Sequence, residues 1–508
     1  MSAAHDVRPY GSRAFLVTPG GGVLPASYAR AVVRPEVVDV VPAAATVLVV
    51  LRSGDSRNQV ADWLRLLSVD RAGNEGREDD DVRSVVIDVV YDGEDLAAVA
   101  AASGLAVETV VSLHTGAEYT CEFCGFAPGF GYLSGLPDSL VLPRRSTPRT
   151  SVPAGSVAIA GPYSAVYPSA SPGGWHLLGH TDSVLWDLAN DSPALLTPGT
   201  RVTFRAIRGS SVPESGRSTT RSPGEKSPAQ IRVVAAGIAS SLQDRGRVGY
   251  AHLGVPHSGA LDAALRDLVN RLVGNVVDDA VIETAGGLVL EAVEPIVVAD
   301  SSSGVVRTLS PREQVTVDPR EDEMWAYLAV RGGFDIEPVL GSRSWDSLAK
   351  LGPVALERGD LLRVGPDPRT DLTTDLAPPR AHAATLRVHP GPRLDWFADD
   401  AFDHVASTEW TVSADVSRVG VRLRGASLLR HPDRVGEELP SEGLVTGAIQ
   451  VPPDGEPLVM LNDHPTTGGY PVIGVIDERD LGALVQARPG GFVRLQQVTR
   501  AREGGAVA

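Results

Sequence analysis

Lysine is almost absent from this chain. Lys226 and Lys350 are the only two in 508 residues, so nearly every positive charge is an arginine. Lys226 stands in a Ser/Pro/Gly-rich stretch and Lys350 follows Ser347-Leu348-Ala349. Neither closes a G-x-x-x-x-G-K-[ST] phosphate loop, and neither lies between two methionines as a biotin-accepting lysine usually does. The chain is therefore expected to carry no biotin and to hold any ATP without a P-loop.

Cysteine is equally scarce. Cys121 and Cys124, in Thr120-Cys121-Glu122-Phe123-Cys124, are the only two. A disulfide scaffold is excluded by number, and a structural zinc site needs four ligands that no second cysteine or histidine pair supplies. The alternation of Tyr119, Cys121 and Phe123 suits a strand, with the cysteines as small buried apolar residues. Aromatic residues make up 5% and methionines number 3. No run of about 18 uncharged apolar residues is present, and residues 1–10 lack a signal-peptide pattern, so a cytoplasmic protein with no membrane partner is expected. The balance of 46 basic to 63 acidic residues, net −17, opposes general nucleic-acid binding.

What is abundant is turn-forming residues, with Gly 53 and Pro 38, alongside an apolar share of 43%. Many turns and enough apolar side chains for sizeable cores favour a mainly β protein of several domains. Residues 208–230 hold almost no apolar side chain and are expected to be a flexible linker between two folded halves. Before it, residues 1–116 read as an α+β N-terminal subdomain, with strands at 45–51 and 84–90, helices at 57–67 and 96–103, and an acidic loop at 70–81. Residues 117–207 consist of short apolar runs punctuated by Gly and Pro, the pattern of a β-barrel. After the linker, residues 231–366 and 367–508 read as two barrel-like units, separated by a Pro-rich break at 366–379. The one long helix expected there spans 259–272, where Leu265, Leu268, Val269 and Leu272 form an i, i+3, i+4, i+7 stripe.

Two Gly/Pro-rich stretches concentrate polar chemistry. In the first half, Arg144, Arg145 and Arg149 sit among prolines that stiffen the loop, and guanidinium forks match carboxylates and phosphates, so an anion site is expected there. His114, shortly before this stretch, is the half's candidate general acid or base. His176 and His180 lack an acidic third ligand nearby and read as structural. In the second half, Gln243, Asp244, Arg247 and His257 are held among glycines just before a helix, a plausible anion or carbonyl site. Ser258 follows His257, but neighbours on a turn rarely face each other, and no G-x-S-x-G elbow exists. Near the C-terminus, Asp463 and His464 pair a carboxylate with an imidazole ahead of Thr466-Thr467-Gly468-Gly469. They are the second catalytic candidates. No metal site is expected.

Gly125-Phe126-Ala127-Pro128-Gly129-Phe130 through Pro172-Gly173-Gly174-Trp175 resembles the signature of the B subunit of 5-oxoprolinase, also called allophanate hydrolase subunit 1. Gln243 to Asp262, Arg331-Gly332-Gly333-Phe334, Leu340-Gly341-Ser342-Arg343-Ser344 and Asp463 to Pro471 resemble the C subunit of the same enzyme, or allophanate hydrolase subunit 2. The resemblance implies cyclophilin-like β-barrels in both halves and a relation to the carboxyltransferase domain of biotin-dependent urea carboxylase. It also brings Arg343 into the set of candidate substrate- or nucleotide-binding residues. It implies a small-molecule substrate, a separate partner protein like the A subunit of 5-oxoprolinase, and ATP, with Mg2+, driving the opening of 5-oxoproline to glutamate. Inactivity without that partner is expected, and self-association is left open. Two other readings are a carboxyltransferase component receiving carboxybiotin from another protein, and a regulator that binds a histidine kinase. An amidase Ser-Ser-Lys triad, which the allophanate hydrolase label would require, is untenable with two misplaced lysines.

Overall fold

The structure, a computed structural model, describes residues 4–69, 83–145, 147–208, 230–372 and 385–498. The linker expected at 208–230 falls almost wholly outside the described residues, as do the acidic loop at 70–81 and positions 373–379 of the Pro-rich break. Among the described residues no single helix is long and apolar enough to cross a membrane.

The chain opens with an antiparallel sheet in the order Asp6–Tyr10, Ala14–Thr18, Val47–Leu51, Val37–Pro42. Successive side chains on a strand point to opposite faces, and here both faces are apolar. Phe15, Val17, Val47 and Val49 pack with Tyr28 of helix Pro25–Ala31 and Leu64 of helix Arg57–Leu66. Ala14, Leu16 and Leu48, on the opposite face, pack with Leu444, Ala448 and Val475 from the far end of the chain. That second face joins the N-terminal unit to the C-terminal barrel. The helix at 25–31 was not expected from sequence; Pro25 begins it with a preset φ at a position where the missing N–H costs nothing.

A seven-stranded sheet follows, in the order His176–His180, Ser156–Ala160, Tyr163–Val166, Gly131–Ser134, Tyr119–Cys124, Arg201–Ala206, Ser84–Val89. Its two edges meet where Val90 and His180 exchange backbone hydrogen bonds at 2.9 Å in both directions, nearly closing a barrel. The expected boundary at residue 116 falls inside this unit. Strand Ser84–Val89 pairs in parallel with Arg201–Ala206 along its whole length, and helices Leu96–Ser103 and Val107–Gly116 contribute Val99 and Val110 to the same core. Cys121 and Cys124 are fully buried free thiols with sulfurs 4.0 Å apart.

The second half begins with two sheets rather than one closed barrel. Gln314–Val317, Leu288–Ala292, Ile231–Ala236 and Leu361–Leu362 form one; Ser241–Gln243, Val281–Thr284, Ala326–Val330, Ile296–Asp300 and Val306–Leu309 form the other. Val233, Leu290, Ile282 and Leu328 meet in their shared core. The last unit is a closed barrel of Thr385–Pro390, Val472–Ile476, Ala448–Gln450, Leu458–Met460, Gly420–Arg424, Glu409–Val416 and Phe492–Gln497. Helix Ala263–Leu272 sits between these units, its Leu265, Val269 and Leu272 in one core with Tyr327 on one side and Val485 on the other. It starts four residues later than the sequence pattern suggests, because Asp262 caps it by accepting from Ala264 N and Leu265 N, each at 3.1 Å.

Candidate functional site

The first half spends its candidate residues on its own fold. His114, in the last turn of helix Val107–Gly116, is fully buried. The Tyr91 hydroxyl lies 2.7 Å from its Nδ1 and the Ser164 hydroxyl 2.9 Å from its Nε2, while Phe204 packs against the ring. Burial lowers its pKa to about 3, so it is a neutral core residue with both nitrogens engaged. A general acid or base must reach a substrate proton; this imidazole has no free face, and the acid–base role expected for it is withdrawn.

The arginine loop is corrected in the same way. Arg145 donates to Asp95 at 2.5 Å, and Arg149 to Asp95 at 2.9 Å and to Glu94 at 3.0 Å. The second carboxylate oxygen of Asp95 accepts from Leu177 N at 2.8 Å. Asp95 is 5% exposed and Arg149 18%, so these guanidinium groups clasp the loop to the barrel. Only Arg144 of the three is exposed. His176 and His180, expected to be structural, lie 2.9 Å from Pro143 O and 2.8 Å from Asp92.

In the second half the candidates converge. Asp244 accepts from Gly246 N, Arg343 N and the hydroxyls of Ser342 and Ser344, which fixes the loop beginning at Gln243 against the 342–344 turn. Arg343 and Arg247 in turn donate to backbone carbonyls, Ile336 O and Val339 O. Gly246 has φ +87°, and a Cβ there would collide with the His257 carbonyl, so only glycine lets the chain double back so tightly. The loop returns at Ser258, whose hydroxyl donates to Asp463 at 2.8 Å and not to His257.

Asp463 is fully buried. It also accepts from Ser347 N at 2.8 Å and from Arg418 Nε and Nη2, both at 2.9 Å. Arg418 pairs besides with Glu283 and donates to Gly259 O at 2.7 Å and to Gln243 Oε1 at 3.1 Å. One arginine from the closed barrel thus satisfies two buried carboxylates and the loop they hold. Neighbouring Asp346 is pushed up to about 7 by burial and by the charge of Asp463. Asp463, offered as a catalytic carboxylate, is a structural hub. Arg418 and Glu283 were missed by the sequence reading; in so arginine-rich a chain, Arg418 carries no local signal.

The open chemistry lies beside this hub. A cavity of about 350 Å³ separates the N-terminal sheet from the closed barrel. Tyr10, Asp39 and Leu48 line it from the first half; His257, Thr446 and His464 line it from the second. Asp39 accepts from Gly249 N at 3.1 Å and Ala251 N at 3.2 Å, so a first-half carboxylate shapes the second-half loop. It interrupts a run of four valines, Val37-Val38-Asp39-Val40-Val41, a signal that could have singled it out.

His464 Nδ1 lies 2.7 Å from Pro465 O and His257 Nδ1 3.1 Å from Ser258 O. A carbonyl only accepts, so each Nδ1 carries the proton and each Nε2 presents a lone pair. Burial lowers the pKa of His464 to about 4, with His257 itself adding to the effect, and desolvation by the surrounding protein lowers that of His257 too, although the residue is exposed. His257 was expected in an anion site; neutral imidazole is an acceptor and does not serve that role. Thr466 also contributes to the cavity wall, but its hydroxyl is buried and has no hydrogen-bond partner among the described residues. Among the described residues no cluster of three His, Cys, Asp or Glu could hold a metal ion.

Residues 7–196 match the carboxyltransferase domain, subdomain C and D, and residues 253–497 match the carboxyltransferase domain, subdomain A and B. The C subunit of 5-oxoprolinase from Escherichia coli K12 is 33% identical over 295 residues, covering 54% of this chain and 94% of that protein. The B subunit of 5-oxoprolinase from Escherichia coli O157:H7 is 45% identical over 182 residues, 34% of this chain and 80% of that protein. The crystal structure of TTHA0988 superposes with a TM-score of 0.82 at 34% identity, covering 95% of this chain and 99% of that one.

Proposed function

This chain belongs to the carboxyltransferase-domain family, with its B-like part fused ahead of its C-like part, and from that premise we propose that it is the fused B–C component of an ATP-dependent 5-oxoprolinase. The observation that carries the reading is the cavity. The two parts correspond to proteins that occur as separate subunits, and residues from both line one cavity with two unprotonated imidazole nitrogens.

A lactam resists hydrolysis because amide resonance weakens its carbonyl as an electrophile. Transfer of a phosphoryl group from ATP to the amide oxygen gives ADP and an activated imidate; water adds to the carbon, the C–N bond breaks with protonation of nitrogen to leave an acyl phosphate, and a second water hydrolyses that to glutamate and phosphate. Phosphoryl transfer needs cationic groups around the moving phosphate. Of the residues expected to supply them, Arg145 and Arg149 are paired with Asp95, whereas Arg144 is exposed and Arg247 and Arg343 donate to neutral carbonyls and keep their charge. On this reading the phosphoryl step, with the nucleotide and its Mg2+, is assigned to a partner like the A subunit of 5-oxoprolinase. What this chain supplies is a cavity shared by its two halves and the Nε2 acceptors that can take the lactam N–H.

The test is reconstitution. Alone, the chain is expected to be inactive; with a cognate ATP-dependent partner it should form ADP and glutamate from ATP and 5-oxoproline, without biotin or bicarbonate. Turnover that requires urea, bicarbonate and a biotinylated partner would replace this reading with the carboxyltransferase one, which the family's name favours.

A further inference from the structure

A second cavity, of about 460 Å³, lies behind the first. Val38 and Asp39 line both, so strand Val37–Pro42 is the partition between them. Three parts of the chain form its walls: helix Pro25–Ala31 with the turn after it, residues 197–198 of the first half, and Gly249 and His252 of the second. Most of the lining is aliphatic, including Val32, Val33, Val37 and Val40, and its charged groups are Arg30, Arg34 and Asp39. Arg34 lies over the Trp63 ring at 4.9 Å, with its Nε 3.5 Å from Glu36. Arg30 donates from Nη2 to Ser27 Oγ at 3.1 Å, and a Cβ added at Gly199 would lie 3.5 Å from its Nη1. Its guanidinium therefore spans from the helix to the 197–199 turn on the cavity wall. Asp39 stands on a different wall. Its Oδ2 accepts from Gly249 N at 3.1 Å, a residue of this cavity, and its Oδ1 from Ala251 N at 3.2 Å, a residue of the other. Neither partner is a cation, and burial raises the pKa of Asp39. Burial lowers that of His252, which is neutral at pH 7.5 and brings no charge of its own.

We propose that this second cavity binds a small zwitterion with an aliphatic body, an α-amino acid of the leucine type, its carboxylate on Arg30, its ammonium on Asp39 and its side chain on the valines. The walls set the class. A guanidinium fork matches a carboxylate, but an anion without a cation of its own would also meet the Asp39 carboxylate, and an amine alone would meet Arg30. A molecule that carries both charges satisfies both walls. An aliphatic side chain gains by leaving water for the valine surface, whereas a further charged group there would lose its hydration. The volume lies within the range of roughly 300–1,000 Å³ for ligand pockets.

The site stands apart from the lactam reading, since its test is binding and needs no partner protein. The probes are L-leucine, 4-methylpentanoate and 3-methylbutylamine, titrated against the full chain at pH 7.5 and followed by ligand-observed NMR. The second is leucine without its ammonium and the third is leucine without its carboxylate. The unmodified chain should bind leucine at least about tenfold more tightly than either, the scale of one charge-assisted hydrogen bond. Arg30→Gln should abolish the preference over the amine, and Asp39→Asn the preference over the acid. Val33→Glu, at a residue 80% exposed and so tolerant of change, should weaken leucine severalfold. Equal binding of leucine and either analogue by the unmodified chain, or no binding of leucine, overturns the proposal whether or not any variant folds. A preference retained in Arg30→Gln or Asp39→Asn, or leucine binding untouched by Val33→Glu, would place the ligand elsewhere and overturn it as well.

Discussion

His114 in the first half and His464 in the second are both buried and both neutral, with pKa values lowered to about 3 and about 4. They differ in what the second nitrogen meets. In His114 each ring nitrogen faces a hydroxyl, of Tyr91 or Ser164, and the ring is a packed wedge between helix and barrel. In His464 a carbonyl holds Nδ1 alone, and the ring lines a cavity. The arginines divide in the same way. Arg145 and Arg149 clasp a partly open loop through Asp95, whereas Arg418 is sealed between Glu283 and Asp463 at 5% exposure. Residue type and a Gly/Pro-rich context do not separate an imidazole with a free nitrogen from one with both nitrogens engaged. The accounting of its second nitrogen does.

The largest effect that probes this contrast is expected at the sealed end. Asp463→Ala leaves Arg418 buried with only Glu283 as a charged partner and strips acceptors from Ser258 and Ser347. Removing one partner of a buried ion pair typically costs about 3–5 kcal/mol, and urea denaturation should show a loss of that size. A loss below about 1 kcal/mol with activity abolished would return Asp463 to the catalytic residues.

A smaller effect tests the claim that His114 is neutral in the fold. Its folded pKa of about 3 lies below the unfolded value of about 6.5, so its share of stability is full above the unfolded value and is lost as pH falls from there toward 3. Between pH 7.5 and 6.0 that share amounts to about 0.8 kcal/mol at ~1.4 kcal/mol per pH unit. His114→Gln keeps a donor and an acceptor in place and removes the titration, so the variant's unfolding free energy should fall by that much less than the parent's over this interval. Parallel pH profiles would mean that His114 is accessible to protons in the native state, and the comparison with His464 would fail.

Much of the fold was legible in the sequence. The mainly β class, the buried cysteines, the strands near 47–51 and 84–89 and the helix behind Asp262 all follow from local pattern. What local pattern could not give was partnership across the chain. Strand Ser84–Val89 looked like part of an N-terminal unit because its parallel partner, Arg201–Ala206, lies more than a hundred residues away. The site was legible only in part for the same reason. His257 and His464 were visible as residues in glycine-rich turns, but their meeting at one cavity depends on the barrel closing and on Asp39 arriving from the other half. The roles of Asp463 and Arg149 came out differently because side-chain partners, absent from any local window, decide whether a charge is free or committed.

The central claim is that the two halves make one site and hold together without the segment that joins them. Ala14, Leu16 and Leu48 bury their outer face in one core with Leu444, Ala448 and Val475, and Cys124 and Leu253 form a bridge between the two halves. The direct measurement introduces a protease site within residues 209–229, cleaves it, and passes the product over a sizing column at micromolar concentration. The account predicts that the two fragments co-elute at the volume of the uncut chain. Separation into independent fragments would contradict it.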